Sequence, residues 1–383
     1  MKLFTFLAFT TTLLISSCTN NTNCNDPLAD TGRTQNTENL LLSLKKMTSQ
    51  HSFMFGHHDD TVYGIGWEGD SNRSDVKSVC GDKPALLGFD LGGIEMDKEH
   101  NLDKVKASRL RQEIIQHYQQ GGVTTLSWHC NNPLSGRHSW VVDSLYDIES
   151  QTIKSILNEG ETHDKFISWL DNIANFINSL KTTSGVKVPV IFRPWHEHTG
   201  SWFWWGQKNC TTEEFISLWQ LTVNHLRKCG VNNALFCYST GLEAGGDPQK
   251  FMERYPCDEY IDILGLDFYC SSSEIESEAC AHYIDKATNN IPMLCSLANK
   301  HNKVAAITET GYEGIKTNDW WTKTLLPAIS NYPICYVMVW RNAHDKKGHF
   351  YAPYVGHPSA LDFVYFYNDK QTLFLKDLNG IYK

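Results

Sequence analysis

The apolar and polar positions of this chain follow two alternating patterns from about residue 50 onwards. Eight short runs of apolar and β-branched residues are continuous, which is typical of strands covered on both faces of a parallel sheet. These runs lie at residues 53–56, 85–91, 123–128, 188–192, 234–238, 261–266, 304–308 and 334–340. We therefore predict a parallel strand at each of them.

The segments between these runs carry apolar residues at helical spacing. Residues 102–119, 165–181, 212–229, 279–301 and 318–329 are the clearest of these segments. Thr211 with Glu213 and Glu214 provides a cap and early acidic residues for one helix start. Eight strands alternating with helices predict an α/β fold, a single (β/α)8 TIM barrel. A doubly wound open sheet is the alternative, but no glycine-rich phosphate fingerprint follows the first strand.

The composition narrows the class of protein. Of the 383 residues 41% are hydrophobic, which is enough for a large core. The net charge of −9 and the lack of any basic run argue against nucleic acid as a partner. Twelve tryptophans stand out, because flat aromatic rings suit the apolar faces of sugar rings; about half of them are expected to be core. After residue 40 no repeat, linker or second domain is evident, so we assign residues 37–383 to one catalytic domain.

The N-terminal segment is typical of export. Lys2 precedes an apolar run at 3–15 that is too short to span a membrane as a mature helix. The run ends Ile-Ser-Ser-Cys at Cys18, which resembles the box of bacterial lipoproteins, where the cysteine is lipidated. An ordinary signal peptide with a chance cysteine is the alternative. We predict a signal peptide at 1–17, a lipid anchor to a bacterial membrane at Cys18, and an Asn- and Thr-rich flexible tether at 18–36.

Two further expectations follow from this segment. No acidic residue lies between Cys18 and Asp26, which favours an anchor that faces the periplasm over one at the cell surface. Without Cys18 the chain has eleven cysteines, whose spacing assigns no pairs and matches no zinc motif. Cys237 and Cys335 lie in apolar runs and are predicted to be buried free thiols.

Polar side chains cluster where the apolar runs end. A barrel places all C-terminal strand ends on one face, so we expect these side chains to surround one site. They are His57, His58, Asp59 and Asp60 at the first run, Asp90 at the second, His129 at the third, Arg193, His196 and Glu197 at the fourth, Asp267 and Tyr269 at the sixth, Glu309 at the seventh, and Trp340 and Arg341 at the eighth.

Two of these residues are glutamates at the tips of strong strand runs, Glu197 and Glu309. Glycoside cleavage needs one carboxylic acid to protonate the leaving oxygen and a second carboxylate to attack the sugar or activate water. The fourth and seventh strands of a barrel can hold two carboxyls about 5–5.5 Å apart, the separation for retention of configuration. Adjacent residues on an extended segment point to opposite faces, so His57 to Asp60 do not predict a catalytic metal. We expect no metal or other cofactor.

Several motifs resemble glycoside hydrolase family 26, whose members are mainly β-mannanases. Residues 192–197 (Phe-Arg-Pro-Trp-His-Glu) and 200–206 (Gly-Ser-Trp-Phe-Trp-Trp-Gly) resemble its acid/base motif. Further matches are residues 55–61, 127–129 with 132–133, 308–311 and 339–342, in the order of the family. The resemblance therefore covers most of the chain.

The resemblance implies roles for individual residues. Glu197 would be the acid/base and Glu309 the nucleophile of a double displacement. His129, His196 and Tyr269 would contact the sugar in the −1 subsite or orient the carboxylates. Trp340 would be the platform beneath that sugar, Trp202 would line the +1 side, and Arg341 would bind the next glycone sugar. Apart from the resemblance, Asp90 and Asp267 could equally hold a His or Arg in place or contact the ligand directly, and Arg193 is expected to support a neighbouring group.

The expected function is a retaining β-1,4-mannanase that acts on mannan, glucomannan, galactomannan or manno-oligosaccharides. A monomer is expected. An exo-type mannanase that releases mannobiose is one alternative. A β-1,3-1,4-glucanase and a non-catalytic glycan-binding lipoprotein are others. The exo-type hypothesis depends on bulky or polar groups that could end the cleft after the first strand, or that could equally pack the loop: Tyr63, Trp67, Glu68, Asp70, Asn72 and Arg73.

Overall fold

The structure is a computed structural model that describes residues 32–383. Eight parallel strands form a closed barrel. Each strand pairs with its neighbours in the chain, and the first also pairs with the eighth, with Met54 opposite Tyr336. The prediction of a (β/α)8 barrel is confirmed. The strands are β1 Phe53–His58, β2 Leu86–Asp90, β3 Val123–Trp128, β4 Val190–Pro194, β5 Ala234–Thr240, β6 Ile263–Asp267, β7 Val304–Thr310 and β8 Ile334–Val339.

Two small strand pairings and eleven α-helices accompany the barrel strands in residues 32–383. A hairpin of Tyr63–Gly64 and Trp67–Glu68 follows β1, and Thr372–Leu373 pairs with the start of β1. The helices are α1 Gln35–Ser49, α2 Asp75–Cys80, α3 Ala107–Gln119, α4 Tyr146–Glu149, α5 Thr152–Leu157, α6 Glu161–Ser179, α7 Thr212–Lys228, α8 Pro248–Met252, α9 Glu276–Lys300, α10 Leu326–Ile329 and α11 Ala360–Tyr367. No helix in residues 32–383 is long and apolar enough to cross a bilayer.

The predicted helices agree with the structure except at two places. The segment expected to start at residue 102 becomes helical only at Ala107, because Asn101 fixes a turn by accepting from the Asp103 and Val105 amides. The segment at 318–329 contains a π-helical turn, Trp321–Leu325, before α10. Pro327 follows it and has no N–H for a regular helical bond. The cap at Thr211 is present, with reciprocal bonds to Glu214.

The N-terminal end of the barrel is closed by α1. The Thr34 hydroxyl accepts from the Thr37 amide at 3.2 Å and caps this helix. Residues 35 and 36, expected in the tether, are therefore helical, while the predicted signal peptide, Cys18 and the tether up to residue 31 lie outside the described residues. Leu40, Leu44 and Met47 of α1 pack on apolar side chains inside the barrel.

Two cysteines contribute to this inner packing. Cys237 on β5 and Cys335 on β8 are fully buried and unpaired, as predicted. Burial raises the pKa of the Cys237 thiol to about 12, so this thiol stays protonated at neutral pH.

Candidate active site

The loop after β4 aims Glu197 into the mouth of the barrel. Trp195 and Glu197 both have φ near +52°, a region that bulky residues rarely adopt. Surrounding contacts hold this backbone: the Glu197 amide donates to the Ser239 carbonyl at 3.1 Å, and the Trp205 indole donates to the His196 carbonyl at 2.8 Å. Strained backbone of this kind persists only where packing fixes it, and it is common at functional sites.

Glu197 is buried beside the indole of Trp202. Trp202 Nε1 donates to Glu197 Oε2 at 2.8 Å. This approach requires Gly200, since a Cβ there would lie 2.2 Å from the Trp202 ring. Burial, together with the negative charges of Glu309 and Asp267, raises the pKa of Glu197 to about 8. Glu197 is therefore protonated at neutral pH and can serve as an acid.

Glu309 on β7 lies in the opposite electrostatic environment. The buried Arg193 guanidinium contacts Glu309 Oε1, and the Tyr269 hydroxyl donates to Oε2 at 2.8 Å. Arg193 also donates to Asp267 Oδ2 at 2.8 Å, and Thr308 donates to Asp267 Oδ1 at 2.5 Å. A cation and a hydroxyl at the two oxygens stabilise the ionised carboxylate. The structure thus brings together one protonated and one charge-paired glutamate.

Two histidines line the same mouth. His129 Nδ1 lies 2.7 Å from Asp90 Oδ2, and its Nε2 lies 3.3 Å from His196 Nε2. Burial alone would lower the pKa of His129, but the Asp90 charge and hydrogen bond outweigh it and raise that pKa. Burial and the charge of Arg193 lower the pKa of His196. His129 is therefore the donor of the pair, and Asp90 orients it.

Trp340 and Arg341 follow β8 on the other side of the mouth. The Trp340 ring stacks on His58 with centroids 4.2 Å apart, and its other contacts include His129. Arg341 Nη1 lies 3.3 Å from Asp103 Oδ1 and 3.1 Å from the Tyr63 hydroxyl. Asp103 lies well beyond the end of β2, and no local pattern in the sequence marked it.

Of the six side chains after β1 that were expected to end the cleft or to pack the loop, two are buried and two others pair with each other. Tyr63 and Trp67 are buried, and Trp67 Nε1 donates to Asp75 at 2.8 Å. Arg73 pairs with Asp70 at 2.7 Å and covers the Trp67 ring. For Tyr63 and Trp67 these contacts favour the packing interpretation over the cleft-ending one, while Glu68, Asp70, Asn72 and Arg73 are exposed.

Among residues 32–383, two groups of side chains have donor atoms close enough together to hold a metal ion. Donor atoms of His58, Asp59 and Asp103 lie within 4.8 Å of one another, but Arg341 already supplies a positive charge beside Asp103. The second group, Asp171, His225 and Cys229, lies on the outer helices α6 and α7 and their ends.

Tryptophans are more deeply buried than expected. Nine of the twelve are core residues: Trp67, Trp128, Trp169, Trp195, Trp204, Trp205, Trp219, Trp320 and Trp321. Trp202 and Trp340 are half-buried at the mouth, and Trp140 is exposed. Trp140 was not among the candidates, because its sequence context does not distinguish it from a core tryptophan.

Comparisons with known proteins agree with this geometry. A model of glycosyl hydrolase family 26 matches residues 29–311. A mannan endo-1,4-beta-mannosidase of Bifidobacterium adolescentis is 29% identical over 90% of this chain and 35% of its own length. One from Bacillus subtilis is 30% identical over 56% of this chain and 57% of its own. The chain thus spans between about a third and just over half the length of these curated relatives.

Solved structures resemble the whole barrel. A family 26 β-mannanase from Bacteroides ovatus has 48% identity and a TM-score of 0.86, with 92% of this chain and 98% of that chain covered. A modular endo-β-1,4-mannanase from Cellulomonas fimi has 30% identity and a TM-score of 0.81, with 92% and 78% covered.

Proposed function

Because the chain belongs to glycosyl hydrolase family 26, we propose that it is a retaining endo-β-1,4-mannanase that acts on mannan, glucomannan, galactomannan or manno-oligosaccharides. The unequal environments of Glu197 and Glu309 are the observation that carries this proposal. One carboxyl is kept protonated by burial, and the other is paired with Arg193 and Tyr269. Such a pair matches the acid and the nucleophile of a double displacement.

The reaction has two steps. Glu309 attacks the anomeric carbon while Glu197 protonates the leaving oxygen, so the bond to the aglycone breaks and a mannosyl ester forms on Glu309. Glu197, now a carboxylate, then takes a proton from water, and this water displaces Glu309 from the anomeric carbon. Two inversions leave the β configuration unchanged.

Other side chains at the mouth support these steps. Tyr269 and Arg193 hold Glu309 in place, and Trp202 holds Glu197. The half-buried face of Trp340 stacks beneath the −1 sugar. Arg341 binds the next sugar on the glycone side, oriented by Asp103 and Tyr63. His129 and His196 present ring nitrogens to hydroxyls of the −1 sugar.

Endo cleavage is preferred to the mannobiose-releasing alternative. The curated relatives are named as endo-acting enzymes. In this chain Trp67 of the β1 loop is buried and donates to Asp75, and Arg73 pairs with Asp70. An endo-acting enzyme lowers the viscosity of mannan early and yields a ladder of products, whereas mannobiose alone at low conversion would support the exo-type alternative.

The decisive experiment measures hydrolysis of locust-bean gum and of barley β-glucan by the purified protein. We expect reducing ends from the gum and few from the glucan, with the first-formed product in the β configuration by NMR. Preference for the glucan would support a β-1,3-1,4-glucanase. Binding without release of reducing ends would support the non-catalytic lipoprotein, and an α product would contradict the double displacement.

The location is part of the same proposal. The Ile-Ser-Ser-Cys sequence ending at Cys18 supports export and a lipid anchor, and the lack of acidic residues before Asp26 supports a periplasm-facing position. Cys18→Ala should release active enzyme from the membrane fraction. External protease on intact cells should leave the native protein uncut, and prompt cleavage would place it at the cell surface. Size-exclusion chromatography of the released enzyme tests the expected monomer.

A further inference from the structure

Trp140 is the one tryptophan whose side chain is largely exposed. Nine of the twelve are buried and two are half-buried at the barrel mouth, whereas Trp140 is 52% exposed. An indole carries a large apolar surface, and leaving it in water forgoes the free energy of burial. Large apolar groups held in solvent next to a site often mark contact with a ligand.

The backbone joins Trp140 to the acid/base loop. Trp140 and Phe203 form an antiparallel bridge, and on either side of it the Val141 amide donates to the Trp202 carbonyl at 2.8 Å and the Trp204 amide to the Ser139 carbonyl at 3.1 Å. The Trp140 ring meets the Phe203 ring edge to face, with centroids 5.1 Å apart. Trp140 is thus carried on the same ribbon as Trp202, the residue that contacts Glu197.

The loop that presents Trp140 is tied down on both sides. The Trp140 amide donates to His138 Nδ1 at 3.2 Å. The buried carboxylate of Glu149 accepts from the Val142 amide and the Ser135 hydroxyl, each at 3.0 Å. The exposed ring therefore stands on a fixed backbone, so a ligand can stack on it without the entropy cost of ordering the loop.

The position of the ribbon that pairs residues 139–141 with residues 202–204 indicates which part of the substrate Trp140 would contact. Glu197 protonates the leaving oxygen, so the groups around its carboxyl on the Trp202 side face the aglycone. Trp140 lies opposite Phe203, the residue that follows Trp202, and its ring is exposed where the Trp202 side chain is half-buried, so it lies further towards solvent. We propose that Trp140 is the stacking platform of an aglycone subsite beyond +1, which binds the apolar face of a β-linked pyranose unit. This inference rests on the proposed function.

A chain-length comparison tests the proposal. Mannohexaose can extend past the +1 subsite, whereas an aryl β-mannobioside ends there. For Trp140→Ala we expect the ratio of kcat/KM for mannohexaose to that for the aryl mannobioside to fall about tenfold, or about 1.4 kcal/mol. Trp140→Phe keeps a ring and should recover most of the ratio. Tyr365→Ala on α11 removes an aromatic ring that is 61% exposed and should leave the ratio unchanged.

The outcomes separate this inference from the proposed function. Thermal unfolding midpoints equal to that of the unmodified protein show that the variants are folded. A ratio that stays constant in Trp140→Ala, whether or not both rates fall, overturns the subsite while the mannanase proposal stands. A ratio that falls equally in Tyr365→Ala also overturns it. If the unmodified protein cleaves neither substrate, the proposed function fails and the subsite fails with it.

Discussion

The two ends of the barrel are built from the same eight strands but have opposite chemistry. At the N-terminal end the inward side chains are apolar, and α1 packs on them through Leu40, Leu44 and Met47. At the C-terminal end the buried residues include Arg193 and Glu309. Apolar burial stabilises a fold, whereas buried charges cost desolvation unless they are paired. We therefore infer that stability is concentrated at the closed end and chemistry at the open one.

Backbone conformation at the open end fits this division. Trp195 and Glu197 both adopt positive φ, a conformation that costs on the order of 1–3 kcal/mol each. The buried rings of Trp128, Trp204 and Trp205 around Trp195 hold the loop in this conformation. This contrast predicts that substitutions at the open, C-terminal end mainly lower activity, whereas substitutions at the closed, N-terminal end mainly lower stability.

Removal of either glutamate should have the largest effect on activity and little on folding. We expect Glu197→Ala and Glu309→Ala each to lose several orders of magnitude on mannan. An activated aryl β-mannoside needs little protonation, so Glu197→Ala should still form the intermediate and show a burst, and Glu309→Ala should not. Glu313→Ala, whose carboxylate pairs with His349, is the matched control. Identical kinetics of the two catalytic variants, or a β-azide product from Glu309→Ala, would contradict the assignment.

Replacement of Arg193 should damage both activity and stability. Arg193→Met leaves Glu309 and Asp267 without their shared cation, which costs on the order of 3–5 kcal/mol of unfolding free energy. Loss of such a donor should lower kcat roughly 10²–10³-fold. Arg111→Met removes a half-buried arginine of α3 that donates to the Ser179 hydroxyl of α6 at 2.7 Å, so it is the control and should keep kcat. An Arg193→Met enzyme with nearly normal kcat would show that Glu309 does not depend on this cation.

A substitution in α1, at the closed N-terminal end of the barrel, should lower stability alone. Leu44→Ala removes a fully buried side chain of α1 and should lower the unfolding free energy by about 2–5 kcal/mol. Urea titration measures this loss, and kcat should stay unchanged at temperatures where the variant is folded. Leu42→Ala, at an exposed position of the same helix, is the control. A fall in kcat without loss of stability in Leu44→Ala would remove the distinction between the two ends.

Activity and stability should both depend on pH through the buried carboxylic acid of Glu197. Glu197 has a pKa raised to about 8, so kcat/KM should fall about tenfold per pH unit above that value as the acid loses its proton. The free energy of unfolding should also fall as pH rises. The folded state keeps the Glu197 proton up to about pH 8, whereas the unfolded chain releases it near the ordinary pKa of about 4.5, so the stability that Glu197 contributes declines between these two pH values. Glu197→Gln should remove this part of the decline. A basic limb near pH 5 would contradict the burial argument.

The smallest effect is expected at the rim. Lys104 and Asp345 form an exposed pair at 2.8 Å that joins the loops after β2 and β8. Exposed pairs contribute about 0–1 kcal/mol, so Lys104→Ala should shift the urea midpoint little. A loss as large as that in Leu44→Ala would show that the rim also stabilises the fold.

The sequence by itself determined the positions of the strands and of the two glutamates. Continuous apolar runs report burial on both faces, which is a local property, and each of the eight runs overlaps a barrel strand. Polar residues directly after these runs had to share one face, because parallel strands in a barrel all end on the same side. The positions of Glu197 after the fourth run and of Glu309 after the seventh followed from this count.

Only the tertiary structure decided which side chains act together. Arg341 meets Asp103 and Tyr63 across three loops, and no spacing along the chain encodes that meeting. The same applies to tryptophans, since exposure depends on what other segments cover: Trp205 is buried, while Trp140 is exposed. The raised pKa of Glu197 arises likewise from burial and from carboxylates distant in sequence, because electrostatic energy depends on distance in space and on the surrounding medium rather than on sequence separation.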